Sequence, residues 1–185
     1  LVAQHIGGGQ EREWRSGTHN VAGIAAMAAA AAEADAQRDA EVERLRALRD
    51  RLVERVVAGL GAAGGQAAGD GAGEAAGDGA GVSWTGARIE PAHLAAGFAH
   101  FCFDGVESEA LLFLLDDAGV AASAASACAS GAQHPSHVLE AMGIGRDSAR
   151  GSLRLSLGHT TTDSEVDLAA DAVIDSVRRL RSHRH

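Results

Sequence analysis

Lysine is absent from all 185 positions, and the sixteen basic residues are all arginine. Without a side-chain primary amine, the chain has no residue that can hold an aldehyde or ketone as a Schiff base. The N-terminal amine of Leu1 is a poor substitute, because nothing in the sequence would position it. Aromatic residues are also scarce, at 3%, and much of the 46% hydrophobic fraction is alanine. Alanine buries little area, so a core has to come from close helix packing rather than from large side chains. The two cysteines, Cys102 and Cys128, are too few and too differently surrounded for a secreted disulfide framework, so a reducing, cytoplasmic setting is expected. The longest apolar run, residues 21 to 32, is shorter than the ~20 residues a membrane helix requires. No basic segment followed by an apolar one stands at the N-terminus to act as a leader. A net charge of -9 and a pI near 5.4 argue against general affinity for nucleic acid or an anionic membrane.

What is present is organised in blocks. Residues 1 to 20 are polar and glycine-rich and read as a loop ending in a helix cap near Asn20. Residues 21 to 60 contain no proline and read as helical, with a break expected near residues 35 to 39 between an alanine-rich buried helix and a charged one. In the charged part, Val42, Leu45, Leu48, Leu52, Val53 and Val56 recur at helical spacing. Residues 61 to 81 are nearly all Gly, Ala, Asp, Glu and Gln, a composition that cannot offset its ordering entropy, and they read as a flexible surface loop. Beyond it the pattern predicts strands over 98–103, 120–122 and 153–157, and helices over 108–117, 136–142 and 163–181. Thr161, Thr162 and Asp163 supply the start of the last helix. Strands alternating with helices indicate a small α/β layer.

Four features could carry chemistry. Cys128 lies among small residues (Ser123, Ala124, Ala125, Ser126, Ala127, then Ala129, Ser130, Gly131), which leave a thiol uncovered as a travelling nucleophile would need. A small buried cysteine is the other reading, and local sequence does not choose between them. Cys102, between Phe101 and Phe103, reads as a core residue. Arg154 sits between Leu153 and Leu155 on an alternating strand. It is either an outward-facing strand residue, which spacing alone favours, or a two-pronged holder of a carboxylate. His134 and His137 invite a metal, but zinc sites need four ligands at recognisable spacing and no second cysteine is near. Residues 7 to 18 offer backbone N–H groups and hydroxyls ahead of a helix, suiting an anion, without the spacing of either familiar nucleotide motif.

These features coincide in one family. Gly7, Gly8, Gly9, Gln10, Glu11 and Arg12, followed by Arg15, Ser16, Gly17, Thr18 and Asn20, resemble a segment of the cysteine desulfurases of aminotransferase class V. Residues 123 to 131, with Pro135 to Leu139 and Ala141 to Gly143, resemble that family's catalytic-cysteine loop and next helix. Residues 152 to 158 with Thr162, Glu165, Val166 and Asp167 resemble its closing strand and helix. The order and approximate distances match, and the resemblance covers nearly the whole chain apart from residues 61 to 81.

The resemblance implies an α/β chain of the pyridoxal-phosphate-dependent transferase fold type I. Residues 1 to 36 would be the end of the large cofactor domain. Residues 37 to 185 would form the small C-terminal domain, with the cysteine loop at 123–135. It further implies a homodimeric enzyme that takes sulfur from L-cysteine, leaves alanine, and passes the sulfur to an acceptor or iron–sulfur scaffold protein. Cys128 would become the persulfide, Arg154 would bind the substrate carboxylate, and Thr18 would reach the phosphate of pyridoxal 5'-phosphate in the neighbouring subunit. The family's cofactor lysine lies upstream of the Gly7 segment, so these 185 residues are expected to be a fragment or one piece of a split protein, inactive alone. A catalytically inactive remnant, or a persulfide-carrying, partner-binding module, is the alternative.

Overall fold

The computed structural model describes residues 2 to 61, 81 to 124 and 136 to 183. The chain divides into two compact units, Leu1–Ala40 and Glu41–His185. Helix α1 (Val21–Leu60) runs through the division. Its start is the expected one: the Asn20 side-chain oxygen accepts the Gly23 N–H at 3.0 Å. Its end is a glycine stop, in which Gly61 takes φ +78 and donates its N–H to the Val57 carbonyl at 2.9 Å. The break expected near residues 35 to 39 is absent. Alanine, glutamine and arginine there all favour helix, and the segment is bridged by Arg38 pairing with Asp35 and Gln37 bonding to Glu33. The alanine-rich half, expected to be buried, is exposed throughout residues 21 to 40, Val21, Ile24 and Met27 included.

The larger unit is built on three antiparallel strands, β1 (Val82–Trp84), β2 (Phe98–Phe103) and β3 (Ser152–Ser156), in the order β1-β2-β3. Alternation sends Ala99, Phe101, Phe103, Leu153 and Leu155 to one face. There they meet Leu48, Leu52, Val53 and Val56 of α1, and Leu111 and Leu115 of α2 (Ser108–Asp117). Val166, Ala170, Val173 and Val177 of α5 (Asp163–Ser182) complete this core. The rings of Phe101 and Phe103 stack with centroids 5.7 Å apart. On the opposite face a smaller cluster joins Cys102 to Leu139 of α3 (His137–Ala141), Ile144, and Ala149 of α4 (Arg146–Arg150). The mixed helix-and-sheet architecture expected from the sequence therefore holds.

Three details differ from the sequence reading. The short strand β1 and helix α4 were not foreseen, and the strand expected over residues 120–122 reduces to a single bridge between Ser123 and Arg154. The loop expected over 61–81 lies almost wholly outside the described residues. Among the described residues no helix is long and apolar enough to cross a membrane.

Strand β3 is pinned at both ends. At its entry the Ser108 hydroxyl lies 2.6 and 2.8 Å from the Arg150 and Ser152 carbonyls. Gly151 approaches Phe103 so closely that a Cβ there would fall 2.0 Å from the Phe103 carbonyl oxygen. At its exit Arg44 grips Glu41 with two nitrogens and donates to the carbonyls of Thr161, Gly158 and His159 at 2.8, 3.0 and 3.1 Å. Next comes α5, where Thr162 and Glu165 form a reciprocal capping box.

Leu52 is 2% exposed, and its truncation leaves a cavity among α1, α5 and the sheet. Leu52→Ala is expected to lower unfolding free energy by ~2–5 kcal/mol. Thr162→Ala, which removes the cap alone, should cost about 1 kcal/mol. Urea denaturation followed by circular dichroism measures both, and equal losses would contradict this division between core and cap.

Candidate functional site

Arg154 is the one residue of the four candidates that the sheet places outright. With Leu153 and Leu155 buried beneath, it stands exposed on the opposite face. Its backbone is committed to Ser123: the Ser123 N–H donates to the Arg154 carbonyl at 3.0 Å, and the Arg154 N–H donates to the Ser123 carbonyl at 2.7 Å. Both polar groups of Arg154 thus point away from β2, which makes its register with His100 a non-hydrogen-bonded pair, the kind in which opposing side chains approach most closely. Ser123, Arg154 and His100 form a row across this face. The Arg154 guanidinium makes no hydrogen bond or ion pair with the described residues.

Cys128 lies outside the described residues, as do His134 and nearly all of the expected cysteine loop 123–135. What the structure places is the backbone entering that segment, held at Ser123 against Arg154. Beyond it, Ser136 stands at the N-cap position of α3 without a side-chain capping bond, and His137 is exposed on the first turn. Among the described residues no group of three or more His, Cys, Asp or Glu is arranged to hold a metal.

The second cysteine is a core residue, as expected. Cys102 is 1% exposed, and burial, reinforced by the Asp104 carboxylate, pushes its thiol up to about 11. A thiol so protonated is a poor nucleophile at neutral pH.

His100 was not singled out from the sequence. Its ring nitrogen Nδ1 lies 3.2 Å from the Thr85 hydroxyl, which also donates to the His100 carbonyl at 3.1 Å. Thr85 is itself buried. Nε2 is buried with no hydrogen-bond partner among the described residues. Burial first, and the Arg154 cation second, hold the imidazole below its ordinary pKa, so it is neutral at physiological pH. Only strand register reveals this pairing, because no short-range spacing links residues 100 and 154.

Thr18 belongs to the smaller unit. Its loop folds back on itself through Ser16 N–H to the His5 carbonyl (3.2 Å) and Gly17 N–H to the Gly8 carbonyl (2.9 Å), with Gly17 at φ +90. The Thr18 side chain is exposed beside an open concavity of about 460 Å³ lined by Gly8, Gly9, Gln10, Gly17, His19 and Val21. A hydroxyl, a glycine-rich wall and the start of a long helix suit the phosphate end of a phosphorylated cofactor. Its aldehyde end is not provided for, since no lysine stands anywhere in the chain.

The aminotransferase class-V family model matches residues 82–168. Over 175 residues the chain is 46% identical to the IscS-like cysteine desulfurase of Mycobacterium tuberculosis, covering 95% of this chain and 39% of that protein. Over 181 residues it is 41% identical to the cysteine desulfurase IscS of Anaeromyxobacter sp. (strain Fw109-5), covering 98% and 39%. Among solved structures, a NifS-like protein superposes with a TM-score of 0.68 at 26% identity, over 96% of this chain and 39% of that one. The chain spans about two fifths of the length of the curated relatives it matches.

Two outcomes follow from the site's titration. In the native chain at pH 8, Cys102 should resist iodoacetamide and become alkylated only in denaturant. Peptide mass spectrometry reads this directly, and native labelling of Cys102 would contradict its burial. Because His100 binds a proton less readily folded than unfolded, its contribution to stability is complete above the ordinary imidazole value of about 6.5. That contribution is lost as pH falls from there through the lower folded value. His100→Gln should therefore flatten the decline in thermal midpoint below pH 6.5, and an unchanged decline would assign the effect to other histidines.

Proposed function

We propose that this chain, whose residues 82–168 match the aminotransferase class-V family model and which is similar over 95% of its length to part of an IscS-like cysteine desulfurase, is the C-terminal part of such an enzyme. In this reading it carries the sulfur-accepting Cys128 and the carboxylate-holding Arg154 of an L-cysteine desulfurase. The observation that carries the proposal is the bridge between Ser123 and Arg154, which hydrogen-bonds the chain entering the Cys128 segment to a strand residue whose guanidinium is unengaged among the described residues. Substrate L-cysteine requires two groups, a planar two-pronged cation for its carboxylate and a thiol for its sulfur, and Arg154 and Cys128 are of those types.

Pyridoxal phosphate, when bound, supplies the electron sink that loosens bonds near the amino acid's α-carbon. Thr18 would contact its phosphate from the neighbouring subunit of a homodimer, and the lysine would come from outside these 185 residues. Arg154 would fix the substrate carboxylate by two parallel N–H···O bonds. The Cys128 thiolate would then attack the substrate sulfur, so that an S–S bond forms and the substrate's C–S bond breaks. The carbon retains the electron pair and takes up a proton, giving alanine and a persulfide on Cys128. That sulfur is suited to delivery, in a reducing cytoplasm, to an acceptor or iron–sulfur scaffold protein.

Alanine and sulfide release from L-cysteine, with pyridoxal phosphate and a thiol reductant, tests this. The chain alone should be inactive, and turnover should arise when it is mixed with a lysine-bearing N-terminal portion of a related cysteine desulfurase. Cys128→Ser should abolish that turnover, and Arg154→Gln should raise KM for L-cysteine by about ten- to a hundredfold, as loss of a charge-assisted pair implies. A mixture that assembles without turnover would sink the enzyme reading and favour an inactive remnant or partner-binding module.

A further inference from the structure

The Thr85 hydroxyl has a single hydrogen, and the His100 carbonyl can only accept it. For the 3.2 Å contact with Nδ1 to be a hydrogen bond at the same time, Nδ1 must be the donor. The imidazole then carries its proton on Nδ1 and a bare lone pair on Nε2. That lone pair is buried and meets no donor among the described residues. A buried acceptor without a donor is costly, so one left bare in a folded chain calls for a physical explanation. A neighbouring donor on this face is the Arg154 guanidinium, which is directly opposite in the close-approach register and has no hydrogen bond or ion pair among the described residues. The neutral state of the ring keeps the two from repelling one another.

We propose that His100 is a positioning residue for Arg154, its Nε2 accepting one guanidinium N–H so that the remaining two-pronged edge faces a substrate carboxylate. Thr85 sets the ring's tautomer, His100 sets the guanidinium's orientation, and Ser123 fixes the Arg154 backbone. The three act through Arg154 and touch no substrate. This inference rests on the reading of Arg154 as a carboxylate holder, and only its kinetic arm depends on turnover.

Two measurements test it. In the 15N-labelled chain alone, nitrogen shifts at neutral pH should show His100 protonated on Nδ1, and its titration should move upward in Arg154→Leu as a neighbouring cation is removed. An Nε2-protonated ring, or a titration indifferent to Arg154, overturns the proposal whether or not any turnover is found. In the active mixture, His100→Leu should raise KM for L-cysteine about tenfold with kcat within about twofold, equivalent to ~1.4 kcal/mol of binding. His100→Gln, whose side-chain oxygen can replace Nε2 as acceptor, should recover most of that loss. An unchanged KM in His100→Leu, or equal defects in both variants with circular dichroism unaltered, overturns it. Absence of turnover in the parent mixture would instead defeat the function proposed above and leave the nitrogen shifts to decide this one.

Discussion

The antiparallel pairing of β2 with β3 determines both the core and the chemistry of this chain. In one register, Phe101 faces Leu153 and Ala99 faces Leu155 over the helices, while His100 faces Arg154 on the other side. A slip of one residue would bury Arg154 and expose both leucines, so the hydrophobic energy of the core enforces the placement of the cation. The clamps at Gly151 and Arg44 act on the same strand, fixing where it begins and where it ends. The site is therefore a by-product of the core's register, and the two cannot be changed independently.

Using arginine alone as the basic residue has consequences throughout the larger unit. Arg44 fastens a turn by reaching three carbonyls and a carboxylate at once, a task for a planar fork with several donors and not for a compact ammonium. Arg51 and Arg55 join α1 to Asp163, Asp167 and Asp171 of α5. The Arg51 guanidinium holds the Asp167 carboxyl below its usual range. Arg49, nearly buried, lies over the Trp84 ring at 5.9 Å while bonding to Asp50. The Arg154 guanidinium, by contrast, makes no hydrogen bond or ion pair among the described residues, and it stands on the sheet face opposite the core.

Much of this was legible in local pattern. The alternation of residues 152 to 156, the spacing of apolar residues in α2 and α5, and the caps at Asn20 and Thr162 all rest on interactions within a few residues of one another. Two of the features missed, strand β1 and the Ser123 bridge, lack such support. Strand β1 is three residues long and exists because β2 offers an edge to pair with. The Ser123 bridge exists because β3 offers its other edge. The continuity of α1 through residues 35 to 39 was hidden by its charge pattern, although each residue there tolerates helix.

Chemical inventory is a property of sequence: no fold can supply an amine the chain lacks, and the thiol at Cys128 and the guanidinium at Arg154 are present in any conformation. Periodicity likewise settled that Arg154 would oppose its leucine neighbours across a strand, because successive side chains must alternate. Tertiary structure alone decided that His100 would be the residue beside it and that Thr85 would constrain its proton. Those outcomes depend on which strand edges meet, and strand register is fixed by the collective packing of the core rather than by the residues it brings together.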